Sequence, residues 1–492
     1  MKSFQKLFLA IFLNSLFSMN MHAQEAPQKY VAVTDPLVKE SLEQWQNMKF
    51  GLLMHWGPYS QWGVVESWSI CAEDQPWCFQ GEDYIAYKQK YERLQETFNP
   101  VKFDPASWAK TAHDAGMKYL VFTTKHHDGF CMFDTKATDY RITSDLCPYH
   151  TNPKADVTRE IFDAFRQEGF VVGAYFSKPD WHSEYFWWPK FATPDRNVNY
   201  EISKHPERWE KFVQYTHQQL DELVSNYGKI GILWLDGGWV RPLSAEEQVF
   251  SEVVNNLYTE KGYSMLRIPQ NQDVRMDEVA ENARKKQPGI IIVDRAVEGP
   301  HQNYLTPEQQ IPPGYLPYPW ETCMTMAGSW SYVPNDHYKP TRQLIHTLAD
   351  IVSKGGNLLL NIGPGPDGTW APEAYQRLKE IGEWMQVNGE AIYNTRGCEI
   401  FSEGQFRFTR GLNGKSYAIY LAGEEEKKLP ATILISSLKP LKNCTVSLLG
   451  FKGNLKWEKA DNGMIIHLPA NTGSNKLHQV AWTLSFDKIE NK

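Results

Sequence analysis

Asp236 ends the apolar run Ile230-Gly231-Ile232-Leu233-Trp234-Leu235 and is followed at once by Gly237-Gly238-Trp239. A short buried strand that stops on a carboxylate, with glycines behind it and tryptophans on either side, presents an acid to a ring-shaped ligand with apolar faces and polar edges. The chemistry this suggests is glycosidic cleavage, which needs a second carboxyl group to protonate the departing oxygen. Glu298, Glu308 (in Leu305-Thr306-Pro307-Glu308-Gln309) and Glu321 (in Trp320-Glu321-Thr322-Cys323) are the candidates for that role, and the residues alone leave all three open.

A second polar set, Lys125-His126-His127-Asp128, follows the β-rich run Tyr119-Leu120-Val121-Phe122-Thr123-Thr124. Imidazoles and a carboxylate are good zinc or iron ligands. Adjacent histidines behind a strand are expected to point in different directions, however, and neither HExxH nor paired CxxC spacing completes a shell. No metal is therefore expected, and His126 and His127 are read as hydrogen-bonding groups for a polar ligand. His55, behind Phe50-Gly51-Leu52-Leu53-Met54, and Arg295, behind Ile290-Ile291-Ile292-Val293-Asp294, fall at equivalent places. Arg295 is expected to pair with a carboxylate on the same rim.

One pattern carries all of these groups: an amphipathic helix, a glycine stop, and a Val/Ile/Leu-rich strand that ends in polar residues. It recurs over residues 104–128, 158–177, 209–236, 276–295 and 343–362, with Asp104-Pro105 a helix start and Gly116, Gly169 and Gly228 as stops. Near-continuous apolar strands alternating with helices mean a parallel sheet covered on its faces. An open sheet would gather its polar residues at one switch point. Here successive strands each end in them, which predicts a (β/α)8-like, TIM-type barrel whose loops converge on one rim. Six strands are legible rather than eight, so an irregular barrel is expected.

Past a helix over residues 372–387 and its Gly389 stop, the texture changes to short alternating runs at 405–410, 416–421, 431–435, 445–449, 464–468 and 480–486. These predict a C-terminal antiparallel β-sandwich of roughly 95 residues. The expected division is a signal peptide over 1–23, a catalytic barrel over 24–396 and the sandwich over 397–492. Lys2 and Lys6, an apolar stretch over 7–17 and Met21-His22-Ala23 read as the export signal, so a periplasmic or secreted product is expected. No Cys follows that stretch to take a lipid, and no later segment is apolar enough to span a bilayer. Of seven cysteines, Cys71 and Cys78 flank an acidic loop and could pair in an oxidising compartment. A net charge of -7 argues against nucleic acid or an anionic membrane as partner, whereas aromatics in polar contexts such as Glu184-Tyr185-Phe186-Trp187-Trp188 suit sugar rings.

Seven motifs in order give the chain a resemblance to the α-L-fucosidases of glycoside hydrolase family twenty-nine. They are Lys49-Phe50-Gly51-Leu52 to His55-Trp56-Gly57, Lys125-His126-His127-Asp128-Gly129-Phe130, Tyr175-Phe176-Ser177 with Asp180-Trp181, Trp234-Leu235-Asp236-Gly237, Val293-Asp294-Arg295, Gly355-Gly356-Asn357-Leu358-Leu359-Leu360-Asn361-Ile362-Gly363-Pro364, and Asn388-Gly389-Glu390-Ala391-Ile392-Tyr393. The resemblance implies a retaining exo-glycosidase that removes terminal α-L-fucose from fucosylated oligosaccharides or glycoconjugates and needs no cofactor. It implies Asp236 as nucleophile, His55, His126 and His127 as ligands of fucose hydroxyls, Tyr175, Trp234 and Arg295 as further pocket residues, and Trp330 as an aromatic facing the sugar's methyl group. Where the family often has a Glu-Trp pair, this chain reads Glu66-Ser67-Trp68, and both Glu66 and Trp68 are carried over as binding residues. Thr306-Pro307-Glu308 is the nearest match to the acid/base motif, so Glu308 is assigned that role, with Glu298 in reserve. Two other classes fit the same residues: a metal-dependent barrel hydrolase and a non-catalytic sugar-binding protein. Linkage preference and oligomeric state are not legible.

Overall fold

The computed structural model describes residues 29–71, 81, 83–191, 193, 195–260, 270–426, 428–468 and 480–490. The expected signal peptide and Cys78 lie outside them. Seven strands, β1 (Phe50–Met54), β2 (Tyr119–Lys125), β3 (Val171–Ser177), β4 (Ile232–Asp236), β5 (Ile291–Asp294), β6 (Glu321–Thr325) and β7 (Asn357–Ile362), form one all-parallel sheet in the order β5-β4-β3-β2-β1-β7-β6. Among the described residues the helices are α1 (Pro36–Met48), α2 (Tyr84–Glu92), α3 (Pro105–Asp114), α4 (Val157–Gln167), α5 (Pro206–Asn226), α6 (Ala245–Glu260), α7 (Met276–Lys286), α8 (Thr341–Ser353) and α9 (Pro372–Asn388). Local chemistry sets several starts: Asp35, Asp104 and Asp156 each accept a backbone N–H of the following turn, and Pro36 and Pro105 sit where a helix has no use for an N–H.

The strands obey a period of two. Leu52, Met54, Leu233 and Leu235 pack outward with the helices, whereas Leu53, Tyr119, Val121, Tyr175, Ile232, Trp234, Ile291 and Val293 form a separate cluster inside the sheet's curve. That parity carries on past the strand ends, putting His55, Asp236 and Arg295 on the same inner face as Leu53, Trp234 and Val293.

The ring is irregular where β5 and β6 should meet. Residues 302–309 lie between them, bridging Val293 in antiparallel sense through Gln302, and Trp320 and Cys323 in parallel sense through Leu305 and Glu308. Asn303 N–H donates to Ile292 O at 3.0 Å and Gln309 N–H to Cys323 O at 3.0 Å, so this segment satisfies both edge strands in place of an eighth strand. It also delivers Glu308 to the rim.

The C-terminal region holds antiparallel strands β8 (Thr395–Arg396), β9 (Ser402–Glu403), β10 (Phe406–Gly411), β11 (Ser416–Leu421), β12 (Thr432–Ile435), β13 (Val446–Leu448), β14 (Lys456–Lys459), β15 (Met464–His467) and β16 (Ala481–Phe486). One sheet runs β13-β16-β11-β10-β8 with β9 beside β10, and a second runs β12-β15-β14. Their facing sides share a core that includes Phe408, Ile433, Ile435, Met464 and Leu484. The outer side of the first sheet docks on the barrel: Tyr417, Ile419, Val480 and Ala481 belong to the barrel's outer core, and Trp384 Nε1–H of α9 donates to Ala481 O at 3.0 Å.

Candidate active site

At the carboxyl ends of the strands lies a pocket of about 330 Å³, lined by residues that include His55, Trp68, His126, Trp234, Asp236 and Arg295. That is room for one sugar ring rather than a chain. Asp236 is the last residue of β4, and the turn behind it needs Gly237, whose φ is +93° and whose Cβ would come within 2.3 Å of Pro179.

Both oxygens of Asp236 are engaged. Arg295 Nη1–H donates to Oδ1 at 2.8 Å and Tyr175 Oη–H to Oδ2 at 2.6 Å. Arg295 also donates through Nη2 to Glu308 Oε2. One planar fork therefore holds both carboxyl groups, with their bonded oxygens within about 7 Å of each other. Burial pushes Asp236 toward protonation, but the Arg295 charge, the neighbouring His127 and the Tyr175 hydroxyl outweigh it and hold the carboxyl well below the usual carboxylate range. His127 is itself kept neutral to about 3 by burial, so at neutral pH Arg295 and Tyr175 are the groups that keep Asp236 ionised. Trp234 lies beneath, stacked on Tyr175 at 5.2 Å with the Arg295 guanidinium 5.1 Å from its ring.

Each histidine is tied back through Nδ1, which leaves Nε2 for the pocket. His55 Nδ1 lies 2.8 Å from Asn361 Oδ1; Asn361 spends its NH2 on Trp330 O, so its oxygen accepts and His55 carries the Nδ1 proton. His127 Nδ1 lies 2.5 Å from Ser177 Oγ, whose own proton goes to Pro179 O, so His127 is also protonated at Nδ1. Ser67 Oγ accepts from Asp128 N–H and lies 2.6 Å from His126 Nδ1; with the hydroxyl proton directed to that nitrogen, His126 carries its own proton on Nε2. Burial lowers His55 to about 4 and His126 well below its ordinary value, so all three rings are neutral. Two lone pairs and one N–H thus face a ligand, a match for hydroxyl groups that must both donate and accept.

The site brings together Asp236, Glu308, His55, Glu66, Trp68, His126, His127, Tyr175, Trp234, Arg295 and Trp330. Glu66 accepts from Ser331 N–H at 2.7 Å and is pushed up to about 7 by burial. Glu298 stands outside, exposed and accepting from Lys29 N–H. Glu321 lies inside the barrel below the pocket, where Tyr119 Oη–H donates to it at 2.6 Å and burial raises it to about 7. Asp128 turns away to accept from Tyr91 Oη–H. One expectation is corrected: His126 and His127 do not diverge. Their ring centroids are 4.3 Å apart, because the β2–β3 register slips between Thr123 and Lys125 and strand alternation has ended by residue 126. With Asp236 they place three ligand atoms within 4.8 Å of one another. Arg196 and Trp239 also line the pocket, beyond the expected binding residues; the Arg196 guanidinium packs against the adjoining rings of Trp68 and Trp239, 5.0 and 4.9 Å from their centroids. Trp239 was visible three residues behind Asp236, whereas nothing local marks Arg196.

Comparison with known proteins matches residues 17–390 to the α-L-fucosidase family model and 402–487 to the α-L-fucosidase C-terminal domain. Tissue α-L-fucosidase of Rattus norvegicus is 28% identical over 486 residues, covering 94% of each chain, and the Homo sapiens protein is 28% identical over 508 residues, covering 98% of this chain and 97% of its own. Among solved structures, α-L-fucosidase isoenzyme 1 from Paenibacillus thiaminolyticus superposes with a TM-score of 0.71 at 27% identity, covering 92% of this chain and all of that one. Thermotoga maritima α-fucosidase, in complex with a mechanism based inhibitor, gives 0.69 at 26%, covering 92% and 98%. The chain belongs to the α-L-fucosidases, glycoside hydrolase family twenty-nine.

Proposed function

We propose that the protein is an exported retaining exo-α-L-fucosidase acting on fucosylated oligosaccharides or glycoconjugates by double displacement. The observation that carries this reading is the Arg295 fork, which joins Asp236 and Glu308 at the mouth of a one-sugar pocket. Asp236, kept anionic, attacks the anomeric carbon, and a covalent fucosyl-enzyme forms as the glycosidic C–O bond breaks. Glu308, on a half-exposed side chain, acts in its protonated form once it has left Arg295: it gives that proton to the leaving oxygen, then takes one from the water that bonds to the anomeric carbon as the Asp236–sugar bond breaks, releasing fucose and the Asp236 carboxylate. A retaining pair works at roughly 5–5.5 Å, a separation within the reach of the fork. The mechanism based inhibitor bound to the Thermotoga maritima relative supports a covalent route.

His55 and His127 accept from sugar hydroxyls while His126 donates to one, which fixes the ring over Trp234. Export is supported by the sequence of residues 1–23, and among the described residues no helix is long and apolar enough to cross a membrane. The test is a panel of fucosylated oligosaccharides with an aryl fucoside beside them, read as released fucose. Binding of fucosides without release from any of them would leave a sugar-binding protein instead.

A further inference from the structure

The groups that hold the sugar also make a cation site. His126, His127 and Asp236 come from the ends of two strands, the histidines buried and Asp236 nearly so, and offer one ligand atom each within 4.8 Å of the others. His127 Nε2 stands 3.8 Å from Asp236 Oδ2. Donors bound to one tetrahedral zinc at about 2.0–2.1 Å lie about 3.3 Å apart, so this pair is within a few tenths of an ångström of its place. His127 already has the arrangement of a metal ligand, with Nδ1–H donated to Ser177 and the Nε2 lone pair open to the pocket. His126 reaches the same state by moving its proton to Nδ1 while Ser67 Oγ turns from donor to acceptor, which a hydroxyl with two lone pairs allows.

We propose that late first-row divalent cations, Zn²⁺ foremost, bind reversibly to His126, His127 and Asp236 and inhibit the enzyme by occupying the sugar's place. Two imidazoles select such ions over Mg²⁺ or Ca²⁺, which prefer oxygen. Arg295 shares the Asp236 carboxylate, so the site is weaker than a closed four-ligand zinc centre. The ion shares Asp236 Oδ2 with the Tyr175 hydroxyl through that oxygen's remaining lone pair and takes the Nε2 positions used by hydroxyl groups, so its inhibition must be competitive.

Binding is independent of the functional reading; the fucose sensitivity and the inhibition rest on it. Isothermal titration of Zn²⁺ into the full-length, EDTA-dialysed protein is expected to give a fucose-sensitive site, with visible absorption of Co²⁺ as a second probe. Asp236→Asn, which keeps the size of the carboxyl group, and His127→Gln are expected to lower its affinity by more than about tenfold. Melting curves on both variants report that they are folded. His113→Ala, in the last turn of α3 at the end of the barrel opposite the pocket, and His467→Ala, in β15 of the C-terminal region, both exposed, keep binding and activity. In kinetics Zn²⁺ raises KM for an aryl fucoside and leaves kcat unchanged. The proposal is overturned if Zn²⁺ binding is absent, survives in both folded variants or ignores fucose, if inhibition is non-competitive, or if Zn²⁺ raises turnover.

Discussion

Replacing Lys49 by Met should stabilise the protein. Lys49 caps α1 at the foot of β1, fully buried, with no hydrogen-bond partner for its Nζ among the described residues and the like charge of Arg396 acting on it. Burial first, then that like charge, lowers its pKa from 10.5 to about 7. At about 1.4 kcal/mol per pH unit, the charged amine costs the folded state on the order of 5 kcal/mol relative to water. The sign follows from which state binds the proton. Below pH 7 Lys49 is charged both folded and unfolded, and the whole penalty is carried. Between pH 7 and 10.5 the folded chain holds a neutral amine while the unfolded chain still binds the proton, so this residue's contribution to stability rises with pH by about 1.4 kcal/mol per unit. Methionine has a stem of similar length and neither charge nor polar head. In denaturant melts the variant's advantage should be largest near pH 6.5 and shrink steadily toward pH 10. A variant no more stable than the wild type at neutral pH, or an advantage that does not change between pH 7 and 10, refutes the reasoning.

Asp236→Gly should abolish turnover yet keep the melting temperature and fucose binding close to wild type, because Arg295 retains Glu308 as a partner; near-normal hydrolysis would remove Asp236 from the mechanism. Glu308→Ala should slow natural glycans far more than an aryl fucoside, whose leaving group needs little protonation, and azide should rescue its second step. Glu298→Ala should be nearly silent, since that carboxylate meets Lys29 N–H at the surface, whereas Glu321→Ala should lower stability by about 1–3 kcal/mol and affect both substrates alike, because it strands the Tyr119 hydroxyl. Azide rescue appearing in Glu298→Ala instead would move the acid/base there. EDTA should not lower the rate, and a loss that zinc restores would favour a metal-dependent hydrolase.

The strands legible in the sequence are those built from Val, Ile and Leu, because burial on both faces leaves a continuous apolar signature. β6 reads Glu-Thr-Cys-Met-Thr and carries no such run: its first residue faces the barrel interior, where Tyr119 donates to one of its carboxyl oxygens. Residues 302–309 have neither helix nor strand period, since their bonds go to two different neighbours in opposite senses. α1 begins with Asp35-Pro36, the same signal that marked α3, and could have been found from it. In the site, parity placed Asp236, Arg295 and His55 inside. The meeting of His126 with His127 depended on a bulge in β2 that only the β3 pairing reveals. Arg196 reaches the pocket by packing its guanidinium against two adjoining indoles from separate loops, a contact with no trace in local sequence.

The most direct test of the central claim is peptide mass mapping after reaction with 2-deoxy-2-fluoro-fucosyl fluoride. Fluorine at C2 destabilises the oxocarbenium-like transition states of both steps, while the fluoride leaving group lets the first proceed, so the glycosyl-enzyme accumulates. A single fluorofucosyl group on the peptide that contains Asp236, absent from Asp236→Gly, is the predicted result. Turnover of fucosides without such an adduct, or an adduct on another residue, would contradict the account.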